Sequence, residues 1–598
     1  MRRIDKRSGR VLLACLLSCV MPLSAADDAA NGVTGAAPAQ TVAPAPAQTS
    51  SEIEQLKQML ADQQKQINEL RQALEQKKEA DSKVAAVAAP AASSSQPAQP
   101  VNAAPVSAFP NFGQVASTAV TLPRAAALPR PAIPQKSPTE ATTSAKNPCE
   151  AAPEGQTPAF IRLGSTCVVP IGFMDLTAVW RDKNAGSSIG TNFGGVPYNN
   201  VTNAKNSEFR FSPQNSRIGF RVDGDFKDTH FIGYNEFDFL GTGGATNYTV
   251  TNGAFVPRLR LFWVDARKGK VEFLAGQSWS MLTPNRSGIS ALPGDLFYSQ
   301  VIDVNYMAGL TWTRQPGMRV LYHPSKKATF GLSFENPDQY IGGSAGGSGI
   351  TLPSGLSALA PAQLDNAPNI GVANTVLAVP TVHPDINAKI ALDPSSRFHF
   401  EVGGIERTFK IWNYNTTGPG ANQYSTKAGG GVLVGVNAEV FKNFRLISTN
   451  YWSDGGGRYL FGQAPDVIAR ADGSLSLVHA GGTVDGFETR IKNWLFYAYY
   501  GGIYVGRNTA IDANGKTPIG FGYTGSPNSQ NRMINEITFG FNETIWANPR
   551  YGAINAMGQY EYLARNPWFV APNNPKGTHD NTIYFNLRYT LPGAMPPF

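Results

Sequence analysis

NTIYFNLRYTL, residues 581–591, separates into two faces when every other residue is read. Ile583, Phe585, Leu587, Tyr589 and Leu591 fall on one, and Thr582, Tyr584, Asn586, Arg588 and Thr590 on the other. A period of two marks a strand with an apolar and a polar side. In a soluble sandwich the apolar side would be core. In a membrane barrel it would meet lipid, and the polar side would line water. Which solvent the apolar side meets decides the fold.

The same alternation recurs upstream. RIGFRVDGDF (217–226) sets Ile218, Phe220, Val222 and Phe226 against Arg217, Arg221, Asp223 and Asp225. RFHFEV (397–402), ATFGLSFE and EITFGFNE repeat it. Short polar connections sit at Lys227-Asp228, Lys268-Gly269, 324–327, 393–396, Lys442-Asn443, Lys492-Asn493 and 546–550. Between them lie long segments at about 182–206, 241–253, 281–313, 337–382, 407–429, 454–484, 507–531 and 564–579. Seven short and eight long connections join sixteen strands, with both chain ends on the short-turn side. Tight turns kept at one rim and long loops at the other describe an outer-membrane barrel, and a sandwich has no reason to segregate them. The expected fold class is therefore all-β: a transmembrane antiparallel barrel of about sixteen strands over 171–598, its apolar faces outward. The segment 485–505 is ambiguous, because both faces of WLFYAYY are aromatic.

Bulk properties agree. Of 598 residues only 16% are charged, 10% are aromatic and 60 are Gly, as many short strands with Gly-rich turns would give. After the N-terminus no apolar run reaches the roughly 18 residues a spanning helix needs. The net charge is +8, but half of it lies in the first ten residues, where Arg2, Arg3, Lys6, Arg7 and Arg10 outweigh Asp5. The remainder is too thinly spread for a nucleic-acid footprint. Those basic residues precede VLLACLLSCVMPL and then SAAD, the pattern of a secretory signal over 1–26. LLSC also carries a lipoprotein alternative. With the signal removed only Cys149 and Cys167 remain, and in an exported compartment two nearby cysteines are expected to pair. Such a bridge would stabilise by roughly 3 kcal/mol; two free thiols are the alternative.

The tail has three textures. Residues 27–50 are too poor in large apolar side chains to fold. Residues 51–80 open on Ser51 and Glu54, spaced as a capping box, and place Ile53, Leu56, Leu60, Ile67, Leu70 and Leu74 at heptad a and d positions. A helix with so narrow a stripe needs partner copies, so these residues are expected to form an oligomerising coiled coil. Residues 81–148 are an Ala/Pro-rich linker, and 149–170 a pre-barrel segment.

SRIGFRVDGDF, RLRLFWVDARKG, FLAGQSWSML and RQPGMRVLYH, in that order, resemble the DcaP-like trimeric outer-membrane porins, as does the heptad segment before them. The resemblance covers roughly 1–335. It implies a sixteen-stranded barrel in the outer membrane of a Gram-negative-type bacterium, three barrels per assembly, a periplasmic coiled coil, and passive uptake of small anions, dicarboxylates among them. A homotrimer in the bilayer would meet lipopolysaccharide and, through its rod, peptidoglycan. The long linker, Cys149 with Cys167, and PGAMPPF after the last alternating run depart from the family pattern.

If lipid takes Ile218, Phe220 and Val222, the pore takes Arg217 and Arg221. By the same parity Glu236, Asp238 and Arg319 face water, and Arg258 and Arg260 share a face opposite Leu259 and Leu261. By analogy with porins whose third long loop folds inward, Arg286, Asp295 and Asp303 are expected at a constriction, with Arg314 close by. Arginines facing a few carboxylates favour anions; the alternative is that these charges only brace the wall. Neither enzyme nor cofactor is expected. GSSIG (186–190) fits G-x-S-x-G but lies in a loop rather than at a strand-to-helix elbow, and the six His residues form no H-x₃-H metal pair. A structural protein tethering the membrane to the cell wall, its barrel narrow or plugged, is the competing reading.

Overall fold

The computed structural model describes residues 160–592 apart from 242–254, 294–299, 344–348, 360–362, 366–379, 414–417, 419 and 549–550. The signal, the heptads with Ile53, Leu56, Leu60, Ile67, Leu70 and Leu74, the linker, Cys149 and Asp295 lie outside the described residues.

One sheet joins eighteen strand segments, all antiparallel. Ile161–Leu163 folds back on Thr166–Val168, and Glu208–Ser212 is the upper part of the strand that resumes at Arg217. The remaining wall strands are Thr166–Arg181, Arg217–Phe226, Thr229–Gly241, Val256–Lys268, Val271–Trp279, Arg314–Ser325, Ala328–Glu335 and Asp385–Ser395. They continue as Phe398–Asn413, Gln423–Phe441, Phe444–Asp454, His479–Ile491, Trp494–Val505, Asn531–Asn548, Gly552–Pro567 and Thr578–Thr590. Phe173–Arg181 pairs with Thr582–Thr590 and closes the ring, leaving no free edge. The result is a closed sixteen-stranded barrel with tight turns at one rim and long loops at the other. The last strand ends at Thr590, and the Leu591 amide still donates to Gly172.

The opening stretch settles which face looks out. Ile583, Phe585 and Leu587 are about half exposed, at 50%, 54% and 48%, whereas Thr582, Tyr584 and Asn586 are buried inside. Ile218, Phe220, Phe330, Leu332, Ile537 and Phe539 also lie on the outer surface. An apolar outside around a polar inside is the inverse of a soluble core and matches a wall made for hydrocarbon.

Three details differ from expectation, and one open reading is settled. The wall begins at Thr166 rather than 171, because Gly164 (φ 62°) turns the preceding residues back into a hairpin. The long segment expected at 407–429 shrinks to 414–422, since RTFKIWN and QYSTKAGG extend their strands above the rim. In the ambiguous WLFYAYY, Tyr497 and Tyr499 turn inward and stack at 5.1 Å, while Phe496 and Tyr500 face out. Leu261 points in, not out: pairing shifts between Glu236 and Phe237, so Arg260 is an inserted residue that reverses the parity after it. Such bulges re-aim side chains beside functional sites.

Candidate pore and constriction

The bulge gathers the first charge cluster. Arg258 donates to Asp238 at 3.0 and 2.7 Å, and Arg260 reaches Glu236 and Asp238, each at 2.7 Å. Arg217 lies 3.5 Å from Glu236 and 3.5 Å from the Tyr306 hydroxyl. The Arg314 and Arg260 guanidinium carbons stand 5.8 Å from the Trp279 ring centre. Arg588, on the last strand, lies over Phe173 at 3.9 Å while Arg217 lies over it at 5.0 Å, and it pairs with Asp175 at 3.0 Å. Five arginines thus meet three carboxylates. The carboxylates are sealed: side-chain exposure is 6% for Glu236 and zero for Asp238 and Asp175, against 38% for Arg258, 15% for Arg588 and 10% for Arg217. Arg258, Arg588 and Arg217 are thus the more exposed members of their ion pairs, whereas Arg260 is buried with the carboxylates.

Arg217, Glu236, Asp238, Arg258, Arg260 and Arg314 are therefore brought together. Arg221 and Arg319 stand apart on the same inner face. Arg221 grips Asp223 at 2.7 and 2.8 Å, and Arg319 donates to the Ser278 hydroxyl and the Trp279 carbonyl at 2.6 and 3.2 Å. Arg588 was not among the expected pore residues, although it stands on the polar face of 581–591 and the parity that places Arg217 inside places it there too.

The segment 280–313 does fold into the barrel, and glycine allows it. A Cβ on Gly501 would sit 2.2 Å from the Ala308 carbonyl oxygen, and one on Gly482 2.5 Å from that of Gly309. The loop backbone thus lies directly against the wall. Side chains of the two neighbouring strands fix it there: Glu536, paired with Gly501, accepts the Ala308 amide and Gln559 the Ile302 amide, each at 2.7 Å. Gly501→Val should displace the loop by pushing its backbone off the wall, and a change in single-channel conductance without loss of the folded barrel checks it.

Arg286 and Asp303 have separate partners inside the barrel. Arg286 makes a bidentate pair with Glu488 at 2.9 and 2.7 Å, in a cavity also lined by Arg445 and Arg490. Asp303 accepts the Thr191 and Asn305 amides and tethers the first long loop to the third. Burial holds its carboxyl above the usual carboxylate range, against those donors and the Arg181 charge. Arg445, Glu488 and Arg490 were not expected either, although they occupy inward positions of Phe444–Asp454 and His479–Ile491.

Apolar loop residues narrow the interior further. Trp312 stacks on Phe461 at 4.5 Å and meets Tyr306 edge-on at 5.0 Å. Tyr459 and Leu460 pack on the inward-facing Ile405, Leu433, Tyr451 and Ile503. Arg407 and Arg458 clamp this loop through Asp385 and Asp466.

His399 faces inward between Asp393 and Glu401 at 2.8 and 3.3 Å, while Arg397 lies exposed in the turn. The Ser188 hydroxyl of GSSIG donates to the Gln214 side-chain carbonyl at 3.0 Å, and an amide is no general base. Cys167 is buried and disulfide-bonded; pairing with Cys149 stays an expectation.

No protein-family model matches this chain, and no curated protein sequence does. Among solved structures, the anion-selective porin from Comamonas acidovorans is 12% identical over 71% of this chain and 100% of its own, with a TM-score of 0.40. Salmonella typhi OmpF, in complex with daunomycin, is 10% identical over 72% and 100%, with a TM-score of 0.39. The outer membrane channel DcaP of Acinetobacter baumannii is 16% identical, covers 72% of this chain and 99% of its own, and superposes with a TM-score of 0.51. This chain shares the barrel fold of that channel.

Proposed function

We propose that this chain is an outer-membrane diffusion porin that passes small anions, dicarboxylates among them, and works as a homotrimer with a periplasmic coiled coil. The closed barrel with an apolar outside supports a membrane location, and the likeness to an outer membrane channel supports passage. One observation carries the anion preference: arginines present their edges to the interior while Glu236, Asp238 and Asp175 are sealed behind them. A dicarboxylate could engage two guanidinium groups at once, each by charge-assisted hydrogen bonds. At about 6 Å in a water-like medium each charge is worth roughly 0.7 kcal/mol. Three or four give about 2–3 kcal/mol, below the roughly 4 kcal/mol of a millimolar site. That enriches an anion without trapping it.

The packing of Trp312 on Phe461 supports a second reading, a barrel so narrow that the protein serves mainly to tether the membrane to peptidoglycan through its rod. Planar-bilayer recording separates the two. Steady current steps with a reversal potential of anionic sign in a salt gradient are expected of the porin. A protein that inserts and gives no steps is the tether.

A further inference from the structure

Near the tight-turn rim the inner wall holds a second group of arginines, separate from the cluster around Asp238. Arg445 and Arg490 stand on the paired strands Phe444–Asp454 and His479–Ile491, and the Arg490 amide donates to the Asn443 carbonyl of the turn at 2.9 Å. Arg286 meets them from the inward loop. The carboxylates here are already engaged. One Glu488 oxygen accepts from Arg286 and from the Tyr499 hydroxyl, each at 2.7 Å, and the other accepts from Arg286 at 2.9 Å. Glu439, opposite Arg445 in the sheet, accepts the Asn443 amide at 2.8 Å and lies 4.0 Å from the exposed Arg397.

Arg445 and Arg490 are left short of acceptors. Arg445 is buried and donates to the Asn437 side-chain carbonyl, while the Asn437 amide holds the inward loop by the Arg286 carbonyl at 2.9 Å. The Nε–H groups of both Arg445 and Arg490 are nevertheless buried without an acceptor, and neither residue joins an ion pair among the described residues. A buried donor without a partner is costly, and a buried cation without a counter-charge more so.

Both arginines line a cavity of about 10 Å³, closed also by Gln300, Asn443 and Leu495. That is room for one water-sized body. Water would satisfy the donors but bring no charge. Phosphate, sulfate or a carboxylate would bring charge but is too large. A monatomic halide meets both conditions, and it accepts hydrogen bonds from any direction.

We propose that this cavity binds one chloride ion between Arg445 and Arg490, a resident counter-ion that fastens the inward loop to the wall. With its charge balanced, Arg445 stays in place and keeps Asn437 aimed at the Arg286 carbonyl. The site stands apart from solute passage, since a barrel that conducts nothing has the same two cations to balance.

The full chain in detergent micelles is crystallised from sodium bromide, and anomalous scattering is recorded at the bromine edge. A peak within hydrogen-bond reach of both Nε atoms is expected. Thermal unfolding is followed as chloride replaces gluconate at constant ionic strength, because an ion bound only by the folded chain raises Tm with its concentration. A rise of several degrees is expected in the natural chain and none in the double variant Arg445→Gln, Arg490→Gln. Sulfate in place of gluconate should not reproduce that difference. No bromine peak in the cavity overturns the proposal. So does an equal chloride response in both proteins, which would mean binding at crystal concentration only, and so does sulfate acting as chloride does. Should the double variant fail to fold, the bromine map and the single variant Arg490→Gln still decide. Neither readout involves current, so a barrel that proves silent in a bilayer sinks the porin reading and leaves this one intact.

Discussion

Replacing Arg217, Arg258 and Arg588 together by alanine should abolish the anion preference proposed for this barrel. Within the cluster these three keep side-chain exposures of 38%, 15% and 10% while the carboxylates they pair with lie sealed. At roughly 0.7 kcal/mol each, their loss removes about 2 kcal/mol, or about 30-fold in the relative permeability of anions over cations. Arg260 is left in place because it bonds both Glu236 and Asp238 at 2.7 Å and so keeps those carboxylates satisfied. Asp175 retains the Asn215 amide at 3.1 Å. The barrel should therefore fold, with a sealed negative charge now facing water through the gaps. Reversal potential across a tenfold salt gradient checks this, with the dilute side near 0.1 M so that the Debye length stays at about 10 Å. The triple lysine variant preserves charge and loses only the planar fork, so it should keep the anion preference. Unchanged reversal potential in the alanine variant would show that the arginines only brace the wall.

How much of this could be read from the chain depends on the range of the interaction that places each residue. Ile583, Phe585 and Leu587 reveal their facing within eleven residues, because the period of a strand is local and the outside solvent acts on every second side chain alike. Turns such as Lys227-Asp228 and Lys492-Asn493 are local too; Lys227 and Lys492 adopt positive φ at 56° and 55° there. The inserted Arg260 is invisible to the same reading. One extra residue leaves composition and alternation nearly intact, and only the partner strand shows that Glu236 pairs with Leu261 while Phe237 pairs with Leu259. The anchoring of the inward loop is harder still. Glu536 and Gln559 are recognisable as anchors only once the chain has closed and brought Ala308 and Ile302 against them from more than 200 residues away. Apolar loop residues such as Phe193, Leu282 and Leu460 break the pattern for a physical reason. They pack against other loops and the inner wall, so no single-strand period applies to them.

Arg407→Met should open the extracellular half of the barrel. The guanidinium is fully buried and engages every element it touches: Asp385 at 2.9 Å, Asp466 at 2.9 Å, and the carbonyls of Asp338 and Gly455 at 2.8 and 2.5 Å. Asp338 belongs to the fourth long loop and Gly455 and Asp466 to the sixth, so one side chain ties both to the wall strands. Methionine fills similar volume and leaves Asp385 and Asp466 buried without their shared cation. Removing one partner of a buried ion pair costs about 3–5 kcal/mol. The wall ladder holds sixteen strands in register regardless, so the penalty falls on the loops, whose local opening costs far less than global unfolding. Release of the sixth loop takes Tyr459 and Leu460 from the inner wall and Phe461 from Trp312. Conductance should rise several-fold, and protease should cut within 455–478 in intact vesicles while the barrel keeps its melting temperature. Arg407→Lys can satisfy one carboxylate but not the whole fork, so it should fall between the two. Wild-type conductance and protease resistance in the methionine variant would mean that Arg458, which also reaches Asp385 at 2.8 Å, holds the loops without it.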